Sequence, residues 1–342
     1  MTAVSMRSVT ALRRAGTTFA LPSATVQRRH ISPPTHRPSQ AVGTQLKLSD
    51  GRTLGYHTSG RRDGKPVLYI HGNPDSGIQV TGTLETKVAN KLGIRWIGPD
   101  RPGIGLSSKH TRAMGCAITT YPEDIQSLVD HLGLEELYII GTSGGTGYTL
   151  ALAKSLSPHQ LKGVGICAGI GPVECGFNSM SPLIKTAWDM WRDHPQEMQK
   201  YIADTYVRIS RDPDPCALRA SMEEAFRSYL SGEDFEYVLQ NDAFEVAVRG
   251  YRQIYAQGAG AHARGIEVNL RSWGYRVEDV GFKGIRLWYG SDDVNTTPVM
   301  GKYMADRLPG AVYKEYEGKS HITIWNEENL EEMLRDLIGQ SN

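Results

Sequence analysis

The sequence predicts an α/β fold, in which a mainly parallel sheet is covered by helices on both faces. Two observations predict it. Short apolar runs alternate with amphipathic helical segments at 44–172 and again from residue 281 onwards. Between these regions the alternation stops, and residues 173–280 have a mostly helical pattern. We therefore predict a discontinuous α/β core, residues 44–172 and 281–342, with a helical cap inserted at 173–280.

Individual elements follow from local patterns. The Asp50-Gly51 pair indicates a tight turn between two antiparallel strands. Residues 66–72 form a continuous apolar run that ends in glycine, as a buried parallel strand does. The predicted strands lie within 44–60 (two strands), 66–72, 93–100, 136–142, 163–169, 285–290 and 311–318, and the core helices at 84–92, 120–132, up to about 156, 298–307 and 326–338.

Composition and charge exclude several classes of function. The chain has 342 residues, of which 39% are hydrophobic, so a sizeable core can be buried. A net charge of +1 provides no basic field for nucleic acid. The longest apolar run, residues 163–173, is shorter than the roughly 20 residues that cross a bilayer. We expect a small-molecule substrate, no nucleic-acid partner and no integral membrane segment; the oligomeric state stays open.

The first 43 residues differ in composition from the rest of the chain. They contain six arginines and many Ser and Thr, and the first acidic residue is Asp50. An acid-free leader rich in Arg and Ser is typical of mitochondrial import. Prolines between residues 31 and 40 indicate a linker. Two interpretations stay open: a presequence, which implies a mitochondrial protein, or a disordered tail or wrongly assigned start, which implies a cytoplasmic one.

The strongest chemical signal is the G-x-S-x-G motif of residues 141–145, between an apolar strand and a helix. Such a motif holds its serine at a sharp, strained turn, where glycines let the strand and helix pass closely. The serine oxygen then lies at the positive N-terminal end of the helix. The motif predicts Ser143 as a nucleophile, and a purely structural turn is the alternative.

A serine hydroxyl becomes a good nucleophile when a base takes its proton. In folds with this motif, an acid and then a histidine follow the serine along the chain. Asp292 and Asp293 come directly after one predicted strand, and His321 follows the next. Loops at strand ends carry catalytic groups in open α/β sheets. We therefore predict His321 as the base and one of the two aspartates as its orienting carboxylate.

The negative charge that develops during acyl transfer needs N–H donors already in place. We expect one from Gly144, directly after the nucleophile. The other is expected from the loop at residues 71–74, with the Asn73 N–H as the candidate. Gly72 allows a close approach of this loop. His71 is predicted to shape the loop through hydrogen bonds and not to react.

In combination, these motifs resemble the α/β-hydrolase superfamily, in its branch with a serine nucleophile and a helical cap. The resemblance is carried by HGNP (71–74), DRPGIGLS (100–107), GTSGG (141–145), GSDD (290–293) and GKSH (318–321), in that order. It implies an eight-stranded sheet, a cap after the sixth strand and catalysis without a cofactor or metal. The family's usual G-x-x-D spacing before a proline, here Pro298, favours Asp293 over Asp292. The resemblance also implies that Asp100 and Arg101 brace the oxyanion loop.

Serine at position 143 narrows the expected chemistry. The HGNPDS segment also resembles haloalkane dehalogenases and epoxide hydrolases. Those enzymes carry Asp at the position that Ser143 occupies in the G-x-S-x-G turn. Serine fits an acyl-enzyme intermediate. The leading hypothesis is a carboxylic ester hydrolase acting on a small or medium, fairly apolar substrate. The alternatives are a carbon–carbon bond hydrolase with the same triad, and a small-molecule receptor or scaffold.

The first helix of the cap has an apolar face that contains Trp188 and Trp191. Residues 183, 184 and 187 lie on the same predicted face. Two roles stay open for it. It lines an acyl pocket above Ser143, or it belongs to the cap's own small core.

Overall fold

The computed structural model describes residues 43–109, 117–240 and 243–339. These residues include an eight-stranded sheet. Residues 1–42 of the predicted leader lie outside the described residues, and so does the presequence prediction that depends on them.

Eight strands form the sheet in the order β1-β2-β4-β3-β5-β6-β7-β8. They are β1 (Thr44–Lys47), β2 (Thr53–Gly60), β3 (Lys65–Ile70), β4 (Ile94–Pro99), β5 (Leu137–Thr142), β6 (Leu161–Cys167), β7 (Arg286–Gly290) and β8 (Val312–Tyr316). The β1–β2 and β2–β4 pairs are antiparallel, and all the other neighbouring pairs are parallel. The predicted mainly parallel, eight-stranded sheet is confirmed.

Helices connect the strands and form the long segment between β6 and β7. In chain order they are α1 (Thr83–Leu92), α2 (Tyr121–Leu132), α3 (Thr146–Ser155), α4 (Pro182–Asp193), α5 (Pro195–Ile202), α6 (Arg208–Ser210), α7 (Pro215–Tyr229), α8 (Gly232–Gln240), α9 (Ala243–Tyr255), α10 (Gly260–Asn269), α11 (Pro298–Ala305) and α12 (Glu327–Leu337). We call α4–α10 the cap helices. Within the described ranges, every helix is too short or too polar to span a membrane.

The two faces of the sheet bury separate apolar clusters. Along β3, Leu68 and Ile70 pack into one cluster, whereas Val67 and Tyr69 pack into the other. Helices α2, α3 and α11 cover the first face, and α1 and α12 cover the second. Because both faces are covered, β3 is apolar from Pro66 to Ile70 and does not alternate with polar residues there.

The cap helices have an apolar cluster of their own, which includes Met222 and Trp191. Ile104, from the loop after β4, joins this cluster and connects it to the rest of the molecule. The predicted apolar face of α4 is divided between neighbours. Trp191 is buried in the cap cluster, Trp188 packs partly against the main core, and Leu183 is 63% exposed.

The strand order fixes where a binding crevice forms. Strand β3 has β4 on one side and β5 on the other. The connections that leave β3 and β5 therefore diverge to opposite faces of the sheet. In open α/β sheets, ligands bind at such a switch point, outside the carboxyl ends of the strands. The loop at residues 71–76 and the G-x-S-x-G turn both start from this place.

Candidate active site

Ser143 lies at the turn between β5 and α3 with a φ of 47°, in the left-handed region that residues other than glycine rarely adopt. The neighbouring glycines are required by crowding. A Cβ on Gly145 would lie 2.5 Å from the carbonyl oxygen of Ile70, and one on Gly141 would collide with the Thr149 hydroxyl. The strand and helix therefore pass as closely as the motif predicts, and the turn has the strained geometry of a nucleophile elbow.

Asp293 and His321 come together from the loops after β7 and β8. His321 Nδ1 lies 2.8 Å from Asp293 Oδ2. The other carboxylate oxygen of Asp293 accepts the backbone N–H groups of Asn295 and Thr296, both at 2.8 Å. The Asp293 side chain is buried, so these bonds fix both its position and its orientation.

Asp292, the alternative carboxylate, points elsewhere. It is exposed, and its Oδ1 accepts a hydrogen bond from the Ser291 hydroxyl at 2.8 Å. The structure thus places Asp293, and not its neighbour, against the imidazole of His321.

Thr296 is a member of this cluster that sequence reasoning missed. Its hydroxyl lies 2.9 Å from both Asp293 Oδ2 and His321 Nδ1, and 2.7 Å from the carbonyl oxygen of Ala168. A hydroxyl has one proton, which Thr296 can donate to Asp293 or to Ala168, while its lone pairs face the imidazole N–H. Thr296 therefore holds the Asp293 carboxylate and the His321 imidazole in one arrangement.

The loop after β6 connects this cluster to the elbow. The Ile170 N–H donates to the Ser143 carbonyl at 3.1 Å, and two residues earlier Ala168 bonds to Thr296. Ser143, Asp293 and His321 thus share one edge of the sheet. Among the hydrogen bonds of the described residues, none joins the Ser143 hydroxyl to His321. Such bonds are often long without substrate and tighten in the reacting complex.

A second carboxylate lies beside the base. Asp234, on cap helix α8, accepts a hydrogen bond from the hydroxyl of Ser320, the residue before His321. Burial lowers the pKa of His321, but the carboxylates of Asp293 and Asp234 outweigh it, and the net pKa is raised above the ordinary value. The cap therefore contributes directly to the electrostatics of the base.

Hydrogen bonds hold the loop after β3 so that the Asn73 N–H points in one fixed direction. The Gly72 carbonyl accepts from the Arg101 guanidinium at 2.5 Å and from His71 Nδ1 at 2.9 Å. His71 Nε2 accepts the Arg101 backbone N–H, so its proton is on Nδ1. The C=O and N–H of a trans peptide point to opposite sides, so the Asn73 N–H points away from Arg101. His71 and Arg101 thus both form hydrogen bonds with this loop, as a bracing role requires.

The Gly144 N–H is oriented in the same way. The Ser143 carbonyl of that peptide accepts from Ile170 N and from the Thr146 hydroxyl, the latter at 2.7 Å. A Cβ built on Gly144 would lie 3.4 Å from Asn73 N, so the two candidate donors are neighbours. Two oriented N–H groups beside the Ser143 turn have the arrangement that an oxyanion hole requires.

Cap helix α10 packs directly on this pair. Asn73 Nδ2 donates to the His262 carbonyl at 3.3 Å. Asn269 Nδ2 donates to the carbonyls of Gly144, at 3.4 Å, and Gly265, at 2.9 Å. The cap therefore supports the oxyanion turn, which the sequence pattern did not indicate.

Within the described ranges, no group of three or more His, Cys, Asp or Glu side chains is arranged to hold a metal ion. The arrangement that the structure does present is a strained serine, an oriented histidine–carboxylate pair and two backbone donors. This set can carry out acyl transfer without any further group.

Comparison with known proteins agrees with the fold. A family model for the α/β hydrolase fold matches residues 65–208. The chain is 25% identical to proline iminopeptidase of Lactobacillus delbrueckii subsp. lactis over 285 residues, which cover 81% of this chain and 92% of that protein.

Solved structures share the fold at low sequence identity. An esterase from Rhodococcus sp. ECU1013 gives a TM-score of 0.60 at 17% identity, covering 88% of this chain and 99% of the esterase. The 2-hydroxy-6-oxo-6-phenylhexa-2,4-dienoate hydrolase from Rhodococcus sp. strain RHA1 gives 0.58 at 16% identity, covering 87% and 98%. Together with the family model and the mainly parallel sheet, these matches show that the chain has the α/β-hydrolase fold.

Proposed function

We propose that the chain is a serine hydrolase that cleaves an ester-type bond of a small or medium, fairly apolar substrate. The observation that carries the proposal is the buried Asp293 carboxylate, 2.8 Å from the imidazole of His321, on the same sheet edge as the strained Ser143. A serine in such a turn has no evident structural use for the strain, whereas a nucleophile needs the exposure that the turn provides.

The proposed reaction has two halves. His321 takes the proton of the Ser143 hydroxyl, and the oxygen attacks the carbonyl carbon of the substrate. The oxyanion is stabilised by the N–H groups of Asn73 and Gly144. His321 then gives the proton to the leaving alkoxide, and the acyl-enzyme forms. Water, activated by the same imidazole, releases the acid, while Asp293 stabilises the imidazolium in both halves.

An apolar acyl group is supported by the surface of the cap that faces the core. Trp188 stacks on Phe177 with their ring centroids 5.2 Å apart, and Ile184 packs beside them against the core. Half-buried aromatic side chains of this kind are common linings of small-molecule sites.

A second candidate is amide hydrolysis that releases an N-terminal proline. Two observations support it. A relative that aligns over 81% of this chain is named proline iminopeptidase. The Asp234 carboxylate lies next to the base and can accept hydrogen bonds from the ammonium group of such a substrate. The same serine, histidine and oxyanion donors would act on the amide carbonyl.

The test combines active-site labelling with two substrate series. Wild type, Ser143→Ala and the matched surface variant Ser127→Ala are treated with a fluorophosphonate probe. They are then assayed on p-nitrophenyl esters of rising chain length and on L-proline p-nitroanilide. We expect labelling and turnover in the wild type and in Ser127→Ala, and neither in Ser143→Ala.

The substrate preference separates the candidates. Faster turnover of esters, with a chain-length optimum, supports the esterase, and a preference for the prolyl anilide supports the peptidase. Labelling without either activity favours the carbon–carbon hydrolase, for which a vinylogous 1,5-diketone is the test substrate. A folded wild type that is not labelled contradicts the serine-hydrolase proposal and favours a ligand-binding role.

A further inference from the structure

A pocket separate from the proposed catalytic residues lies between the loop after β4 and helices α3 and α10. Its walls include Arg101, Tyr148, Ala261 and Arg264. Two arginines therefore face one small space beside an aromatic ring.

The guanidinium of Arg101 is buried and its hydrogen bonding is incomplete. Arg101 is only 5% exposed, and its guanidinium bonds to two carbonyl oxygens and lies 4.9 Å from the Tyr148 ring centroid. Its Nε has no hydrogen-bond partner among the described residues. Neither Arg101 nor Arg264 belongs to an ion pair among the described residues. A buried guanidinium with an unpaired N–H is costly, so an anion that supplies further acceptors in this pocket would lower an existing penalty.

Two histidines and a tyrosine lie near the guanidinium of Arg101. Burial, together with the positive charge of Arg101, lowers the pKa of His262 to about 3 and holds the pKa of His71 well below its usual value. Burial raises the pKa of Tyr148, and the two arginines oppose this shift. Both histidines and the tyrosine are thus neutral at pH 7.

We propose that this pocket binds a small oxyanion of the carboxylate or phosphate type, held between the guanidinium groups of Arg101 and Arg264. Guanidinium groups suit such ligands because their planar N–H donors match two oxygens of the same anion. Half-buried Arg264 supplies the outer contact and Arg101 the inner one.

The anion would not touch the reacting atoms. Arg101 bonds to the Gly72 carbonyl, which lies on the opposite side of a trans peptide from the Asn73 N–H. The pocket is therefore behind the oxyanion loop. Because Arg101 also fixes that peptide, occupancy would alter the direction of the Asn73 N–H. The anion would then act as an effector, changing kcat without competing with substrate.

The test measures binding separately from catalysis. The thermal unfolding midpoint of the full chain is followed against inorganic phosphate, and in a second arm against acetate, at constant ionic strength. Three variants accompany the wild type: Arg264→Gln, the pocket-filling Ala261→Leu, and Arg276→Gln. Arg276 is exposed and pairs with Glu278, so its variant is a matched loss of one positive charge elsewhere.

We expect a saturable rise of the midpoint in the wild type and in Arg276→Gln, for at least one of the two anions. Loss of one charge-assisted hydrogen bond in Arg264→Gln should raise the half-saturating concentration about tenfold. Ala261→Leu, which keeps both arginines, should abolish the saturable response and covers the case in which Arg264→Gln does not fold. The anion that raises the unfolding midpoint at the lower concentration, phosphate or acetate, identifies the type of oxyanion. Absence of a saturable rise in the wild type, or equal responses in the wild type and Ala261→Leu, overturns the proposal.

Discussion

Thr296 shows how much of the site depends on one hydroxyl. Its Oγ1 contacts the carboxylate of Asp293, the imidazole of His321 and the carbonyl of Ala168. The Ala168 carbonyl belongs to the loop that also bonds to the nucleophile's backbone. The distance and orientation of the acid–base pair therefore depend on a residue that does not itself react.

We predict that Thr296→Val lowers kcat about tenfold and leaves KM nearly unchanged. Loss of one buried hydrogen bond costs ~1–1.5 kcal/mol, and here the loss affects the imidazolium formed in the transition state. The measurement is steady-state hydrolysis of the best ester of the chain-length series. Thr296→Ser, which keeps the hydroxyl, is the control and should retain most of the activity. A valine variant with wild-type kcat would show that Thr296 is only a packing residue.

The pH dependence follows from the raised pKa of His321. The base acts when neutral, so kcat/KM is lost as the pH falls through that pKa, and the acidic limb should lie above the ordinary histidine value of about 6.5. Asp234→Asn removes one of the two carboxylates that raise this pKa. We therefore predict that the acidic limb of kcat/KM for the Asp234→Asn variant moves to lower pH.

The control for this shift is Glu236→Gln, which removes an exposed negative charge two residues further along α8. Its acidic limb should coincide with that of the wild type. Equal shifts in both variants would mean that general surface charge, and not the carboxylate hydrogen-bonded to Ser320, sets the pKa.

The sequence predicted residues that chain order and strand ends identify. Ser143, Asp293 and His321 each follow a strand, and neighbouring parallel strands bring their ends together. Asp234 could not be found in this way. It reaches Ser320 from 86 residues away, through the packing of the cap on the core, and no local pattern encodes such a contact.

Among the elements, the elbow joins β5 to α3 at the closest approach to β3. We predict that Gly145→Ala lowers the unfolding free energy by ~1–3 kcal/mol and removes most of the activity. The added methyl would meet the backbone oxygens of Ile70 at 2.5 Å and His71 at 2.8 Å, neither of which can move without displacing β3.

Gly260→Ala is the matched control, because Gly260 also begins a helix but a Cβ there meets no atom within 4 Å. It should leave activity unchanged and stabilise the fold slightly, by ~0.5 kcal/mol. Chemical denaturation and ester hydrolysis are measured on both variants. A Gly145→Ala variant as stable and active as the control would contradict the close packing of the elbow.

The elements themselves were largely predictable because their periodicity depends on local sequence. Residues 66–70 of the predicted run 66–72 are apolar, as β3 requires with both faces covered, and the observed strand is Lys65–Ile70. The π-helical segment Ala203–Val207 was not predicted, because it adds one residue to a helical turn without changing the composition.

For the whole molecule, the loss of strand–helix alternation predicted an inserted helical segment, but not how it docks. Helix α10 contacts the oxyanion turn through Asn73 and Asn269, and α8 contacts the base through Asp234. The cap helices also have their own buried cluster. The cap is therefore stabilised from within, while its few polar contacts determine the geometry of the site.

This division predicts that the cap opens without unfolding of the sheet. Met222 is fully buried in the cap cluster, and Leu150 is fully buried in the main core. Each substitution by alanine should cost ~2–5 kcal/mol of local packing. Under native-state hydrogen exchange, Met222→Ala should speed exchange in the cap helices and leave β3 and β5 protected. Leu150→Ala should weaken protection throughout.

Catalysis supplies a second readout for the same pair of variants. A loosened cap moves Asp234 and α10 away from the base and the oxyanion turn, so Met222→Ala should lose activity at temperatures where its sheet is still intact. Leu150→Ala should lose activity only where the whole molecule unfolds. If Met222→Ala weakens protection in β3 and β5 as much as in the cap, the cap and sheet unfold as one unit. The polar contacts of α8 and α10 would then be part of a single rigid core.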